Sequence, residues 1–190
     1  MRAFLICMCS SLALIGCGET AEPVRFETPT ASQAGERVFT AVETISVREV
    51  SLPAYATEEG IAVADVSGTI VTEPDNLWAD DTARAVTLRL TDALAGITGR
   101  QVASDPWPFR DDPHAVVDVR IESFIANASG RFVAEGRYYV AHDTEERGDH
   151  AHGFRITQPY DPDGGFQAIA EAQGRVVQLL ALDIARRGLR

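Results

Sequence analysis

His114-Ala-Val-Val-Asp-Val-Arg-Ile-Glu-Ser-Phe-Ile125 and Arg131-Phe-Val-Ala-Glu-Gly-Arg-Tyr-Tyr-Val-Ala141 decide the fold. In the first run Val117, Val119 and Ile121 alternate with Asp118, Arg120 and Glu122. In the second, Phe132, Ala134, Tyr138 and Val140 alternate with Glu135 and Arg137. A period of two sends successive side chains to opposite faces, so each run reads as a strand with one dry and one wet face. Asn127-Ala-Ser-Gly130 between them supplies turn residues, which makes the pair an antiparallel hairpin. His152 to Thr157 extends it by a third strand after a polar loop.

A sheet with one dry face needs a cover, and two helical patterns flank this hairpin. Asn76 to Ile97 carries Ala83, Val86, Leu90, Leu94 and Ile97 at three- and four-residue steps, with Asp80, Asp81, Arg84 and Arg89 on the other side. Asp75 or Asn76 is the expected cap, and Gly99 the stop. Gly165 to Arg187 repeats the pattern with Phe166, Ile169, Ala172, Val176, Leu180 and Ile184, capped by Asp163 and stopped by Gly188. Before the first helix, Val38 to Leu52 and Ile61 to Thr72 read as strands. Alternation in the former slips at Arg48-Glu49, as at a bulge, and Gly68 sits in the middle of the latter. Arg100 to Ser104 is a short strand, ended by Asp105-Pro-Trp-Pro108. The expected class is α+β: two helices packed on one face of a mainly antiparallel sheet, in the order strand-strand-helix-strands-helix.

The start of the chain has a different character. Arg2 precedes an apolar stretch of 13 residues, Ala3 to Ile15, too short to span a bilayer and suited to a signal-peptide core. It ends in Leu14-Ile-Gly-Cys17, with an aliphatic residue at −3 and a small one at −1 before cysteine, the pattern of a lipoprotein cleavage site. Cys7 and Cys9 lie inside the removed piece, so Cys17 would be the one cysteine of the mature chain, and lipid attachment explains an unpaired cysteine in an exported protein. Residues 1–16 then form the signal peptide. Residues 17–36, with Pro23 and Pro29, form a lipidated tether with a short first strand near 24–29, and residues 37–190 form one domain. Removal of the leader takes one cation and no acid, moving the net charge from −11 to −12. Such a balance excludes nucleic-acid binding through a basic face.

Little in the chain points to catalysis. There is no Gly-x-Ser-x-Gly, no Ser-x-x-Lys and no glycine-rich phosphate loop. Asp161-Pro-Asp-Gly164 resembles the start of a calcium loop, but Phe166, Gln167 and Ile169 follow where oxygen ligands would be needed, so it reads as a turn. His142, His150 and His152 are weak candidates for a metal, since His-x-His on a strand puts two rings on one face and a hairpin can bring a third. The wholly polar Thr144-Glu-Glu-Arg-Gly148 between them fits a solvated loop better. No cofactor is expected.

Leu52-Pro53-x-Tyr55 and Asn76-Leu77-Trp78-Ala79, taken with the cysteine motif, resemble the ABC-type transport auxiliary lipoproteins. Genes for these lie beside MCE-domain lipid transporters in Gram-negative bacteria, including the paraquat-inducible intermembrane transport system. The likeness runs in order from Cys17 to about Ile184. Val24-Arg-Phe-Glu-Thr-Pro29 stands at the family's first short strand, with Phe26 and Thr28 where Tyr and Leu are more usual. In the family the Asn-Leu-Trp segment opens the amphipathic helix. The resemblance implies no enzymatic reaction. It implies lipidation at Cys17 and a place on the periplasmic face of a membrane. Gly18 after the cysteine favours the outer membrane over the inner. The implied role is docking or assembly for an MCE-domain protein and the ABC permease and ATPase of the same operon. Self-assembly into a homo-oligomer is implied by the resemblance alone. Leu52, Pro53, Tyr55, Asn76, Leu77 and Trp78 are its signature, structural or docking. The alternative is a stand-alone periplasmic lipoprotein that itself binds a lipid or a metal.

Overall fold

A computed structural model describes residues 22–30, 37–144 and 146–190. In chain order the strands are β1 (Val24–Phe26), β2 (Thr44–Val47), β3 (Gly60–Ala64), β4 (Ile70–Trp78), β5 (Gln101–Ser104), β6 (Ala115–Asn127), β7 (Arg131–His142) and β8 (His150–Pro159). Helix α1 (Thr82–Thr98) separates β4 from β5, and α2 (Gly165–Arg187) follows β8. The expected α+β class holds, with two helices and a mainly antiparallel sheet that includes some parallel pairs.

The hairpin of β6 and β7 is the centre of the sheet. β6 and β7 pair from Ala115↔His142 to Asn127↔Arg131, with a register shift between Ile121 and Ser123. The shift changes which parity is buried: Val117, Val119 and Ile121 before it, Phe124 and Ala126 after it. Opposite the shift stands Gly136, where any Cβ would overlap the Arg120 carbonyl oxygen, so only glycine lets the strands approach. β8 pairs along the outer side of β7.

The other side of β6 is shared, so the sheet forks. β2 runs parallel to its first residues, Ile45↔Ala115 to Val47↔Val117, and carries β5 beyond it. β3 runs parallel to its last residues, Val63↔Ala126 and Ala64↔Asn127, and carries β4 and then β1. α1 and α2 lie against each other over one face. Val86, Leu90, Leu94 and Ile97 of α1, and Ile169, Ala172, Val176, Leu180 and Ile184 of α2, are buried together with the inward residues of β6 and β7. Each such Leu, Ile or Val stabilises the fold by about 1.5–3 kcal/mol relative to exposure. The opposite face is open and charged, with Arg120 over the Tyr139 ring at 5.0 Å and Arg155 paired with Glu135.

Four local readings are corrected. Ile61–Thr72 is not one strand but part of the β3–β4 hairpin, so four strands precede the first helix. Asp65 makes the turn: its carboxylate accepts from Ser67 N (2.8 Å), Ser67 Oγ (2.6 Å) and Thr69 N (2.9 Å), and Gly68 takes φ +86°. α1 starts at Thr82, capped by Asp81, which accepts from Arg84 N at 2.8 Å. Asp75 and Asn76 therefore cap nothing and lie in β4, because pairing with β1 and β3 holds Asn76 and Leu77 extended. Within Val38–Leu52 the only strand is Thr44–Val47, and the slip at Arg48-Glu49 is where it ends. Val47 and Val50 are both buried across that break, while Arg48 N and Ser51 N still bond Val117 O and Val119 O. Finally, α2 has Gly164 at its cap position with no side-chain bond, and Asp161 accepts from Asp163 N to close the turn before it. The signal peptide expected over residues 1–16 and the lipidation expected at Cys17 lie outside the described residues.

Candidate functional site

Leu52-Pro53-Ala-Tyr55 lies where the sheet forks. After β2 the chain keeps along β6 through Ser51, whose carbonyl accepts from Ile121 N at 2.8 Å, then must cross to the start of β3. Pro53, with φ −66°, leads into a single turn of 3-10 helix over Ala54–Ala56. That turn brings the Tyr55 hydroxyl to Phe124 N, from which it accepts a hydrogen bond at 3.1 Å. Phe124 follows the register shift of β6, in the stretch between its β2 and β3 ladders. Leu52 and Tyr55 also pack against the buried core. These signature residues seal the sheet.

Asn76, Leu77 and Trp78 do something different: they hold the N-terminal segment. Val24, Arg25 and Phe26 pair in parallel with Asn76, Leu77 and Trp78. Arg25 Nη1 donates to the Trp78 carbonyl at 3.2 Å, and Ala79 N donates to the Phe26 carbonyl at 2.9 Å. Trp78 is itself 8% exposed, its amide bonded to Glu59 O at 2.7 Å. The segment then crosses the helices. Phe26 packs against Phe166 of α2, the rings tilted and their centroids 6.0 Å apart. Arg89 of α1 donates to Thr28 O at 2.9 Å and to Thr30 Oγ1 at 3.0 Å. Pro29 lies so close to α2 that a Cβ on Gly174 would sit 2.5 Å from its carbonyl oxygen. Residues 24–30 are thus a strap tied to the sheet, to α1 and to α2. Beside it runs an open cleft of about 440 Å³, lined by Phe26, Thr28, Trp78, Thr82, Leu88 and Arg89 among others.

The sequence points to Asn76-Leu77-Trp78 and to a short strand near 24–29 but not to their pairing. Arg89 and Gly174 escape it as well. A glycine in the middle of a helical pattern is the signal that something approaches closely, and Gly174 answers to it.

The three histidines come together only as neighbouring rings. His142 and His150 are 5.5 Å apart edge to face, and His150 and His152 are 6.0 Å apart and stacked. His142 Nδ1 is bonded to Gly148 O at 2.9 Å, and His152 Nδ1 accepts from the Arg187 guanidinium at 3.1 Å. A guanidinium at that distance disfavours a second cation. Among the described residues no group of three or more His, Cys, Asp or Glu is arranged to hold a metal ion. Burial lowers the affinity of His142 for a proton, with the Gly148 bond acting against it.

Two further displaced titrations, those of Asp118 and Tyr138, have structural causes. The Arg120 bond holds the Asp118 carboxyl below the usual range, on the open face of the sheet. Burial, aided by the bond to Asp183 at 2.9 Å, pushes the Tyr138 hydroxyl well up, so it stays protonated. Both bonds are structural: Asp118 is paired with Arg120 on its own strand, and Tyr138 joins β7 to Asp183 of α2.

Fold and site together define an α+β scaffold whose distinguishing device is an N-terminal strap locked onto sheet and helices. The chain belongs to the ABC-type transport auxiliary lipoprotein component family, whose pattern matches residues 26–185. It is therefore of a class that serves transport as an auxiliary part, and membership suggests a membrane-associated, periplasmic location. A crystal structure of an uncharacterised protein superimposes with a TM-score of 0.70 at 18% identity, over 87% of this chain and 97% of its own. A crystal structure of a protein from Xanthomonas campestris gives 0.62 at 15% identity, over 83% and 92%. At these identities the likeness is one of fold. No curated protein matches the chain in sequence.

Proposed function

We propose that the chain is exported, cut before Cys17, lipidated there and held at the periplasmic face of the outer membrane. In that position it docks or assembles an MCE-domain protein with the ABC permease and ATPase of the same operon, in a system that moves lipid between membranes. The strap carries this reading. Because Val24–Phe26 is paired in the sheet, no more than Gly18 to Pro23 separates it from Cys17, a reach of at most about 20 Å at roughly 3.3–3.6 Å per residue. That is comparable to the size of the domain itself, whose radius of gyration is about 15 Å. A body held so close to its membrane suits a fixed docking point. A shuttle carrying lipid would gain from longer reach, and the cleft beside the strap is open and too polar to enclose acyl chains.

The anchor is tested by complementation. In a strain lacking the gene, the wild-type chain restores lipid transfer and incorporates labelled palmitate. Cys17→Ala does neither and leaves the membrane fraction. Full function from a Cys17→Ala chain, with retention on membranes after a high-salt wash, contradicts the anchor.

A further inference from the structure

The β3–β4 hairpin carries apolar side chains that the fold does not use. Val66 at its turn is 96% exposed, and Ile70 and Val71 are 42% and 46% exposed. Adjacent strand residues point to opposite faces, so the exposure of both Ile70 and Val71 means that neither face of β4 is covered at this end. Val63 pairs with Val71, and Ala64 with Ile70, which widens the apolar surface across the hairpin. The turn's one charged group, Asp65, is occupied by Ser67 and Thr69 within the loop. The β6–β7 turn lies alongside, Ala128 N bonding Ala64 O at 2.9 Å, and adds Ala128 and Ser129 with no charge. Apolar groups gathered at one tip call for an apolar partner.

The direction of β1 says which partner. β1 is parallel to β4 and enters its pairing at Val24↔Asn76, so the chain arrives from the side on which β4 begins, at Ile70. From Asn76 back to Ile70 is about 20 Å at ~3.4 Å per residue. From Val24 back to Cys17 the chain can reach about 23–25 Å. An anchor at Cys17 is thus able to stand level with the hairpin turns. The geometry points to the lipid surface itself as the occupant: the two hairpin turns, led by Val66 and Ile70, rest in the headgroup region beside the Cys17 lipid and set the domain upright on the membrane. This rests on the lipidated reading above. The opposite end, where the loop after His142 lies, then faces away from the membrane. Asp161 and Asp163 follow β8 near the β6–β7 turn, since Pro162 lies against Gly130, so contact is expected with zwitterionic lipid and weakened by anionic lipid.

Because Cys17 is blocked by its thioether in the mature lipoprotein, an introduced cysteine is the sole site for a thiol-reactive fluorophore. The lipidated full chain bearing Val66→Cys or, at the far end, Glu146→Cys is labelled and placed in phosphatidylethanolamine–phosphatidylcholine vesicles. Flotation with the vesicles reads the anchor, and quenching by a lipid-borne quencher reads the contact. The expected result is flotation of both proteins, with a blue shift and loss of most emission at position 66 and neither at position 146. Flotation with a solvent-like, unquenched label at position 66 overturns the contact while leaving the anchor intact. A blue shift at 66 without quenching by lipid overturns it in favour of a second copy or another protein covering the tip. Failure to float removes the anchor and the contact together.

Discussion

At the scale of single residues, Tyr55 makes the clearest demand. A register shift in β6 leaves the Phe124 amide facing the gap between the β2 and β3 ladders, and the Tyr55 hydroxyl accepts from it. A donor left unpaired in a partly closed site is costly, whereas the ring of Phe preserves the packing. Tyr55→Phe is therefore predicted to lower the stability of the unlipidated domain by about 1 kcal/mol, read by urea denaturation at unchanged slope. A loss indistinguishable from zero would mean that water serves the amide equally well. The same substitution leaves the strap untouched, so binding to partners should persist in the folded fraction.

At the scale of elements, the strap can be tested through Gly174. Helix propensity alone says that Gly174→Ala should stabilise α2 by up to about 1 kcal/mol. Packing says the reverse, because the new methyl would meet backbone, the Pro29 carbonyl at 2.5 Å. Backbone cannot rotate away as a side chain can, so the strap must lift. The predicted outcome is faster amide exchange across 24–30 and at Ala79, whose amide bonds Phe26 O, with the helical circular dichroism retained. Unchanged exchange would show that the strap is not held against α2. This element also shows where the sequence was legible and where it was not. β6, β7, β8 and α2 announce themselves through periodicity, since burial alternates along the strands, with one change of parity in β6, and follows a stripe on the helix. Asn76-Leu77-Trp78 does not, because an Asn followed by apolar residues reads as a helix start. Its extended form is imposed by β1 and β3, which are distant in sequence. The turn at Asp65–Thr69 was readable from Asp, Ser and Gly68 together, but the apolar residues on both sides masked it as one strand. Of the candidate site, the signature segments could be located. Their tasks could not, because Tyr55 acts on a register shift, and His152 meets an arginine from the far end of α2.

At the scale of the whole molecule, the parts have a common direction. The start of the strap and the exposed hairpin turns lie toward one end, and the C-termini of both helices lie toward the other, where Val38 N bonds Ile97 O and Ala41 N bonds Leu189 O. Phe39, 82% exposed beneath the Arg100 guanidinium, sits at that second end. A body tethered at one end and free at the other is suited to receive a partner that spans from the opposite membrane. The central claim is that this reception is the protein's task. It is tested most directly by titrating the lipidated chain, on vesicles, with the purified periplasmic part of the MCE-domain protein encoded beside it. The account predicts saturable capture of that protein on the vesicles in the micromolar range or tighter, with no lipid bound stoichiometrically inside the unlipidated domain. Absence of any association, together with lipid co-purifying one-to-one with that domain, would contradict it and make the chain a carrier.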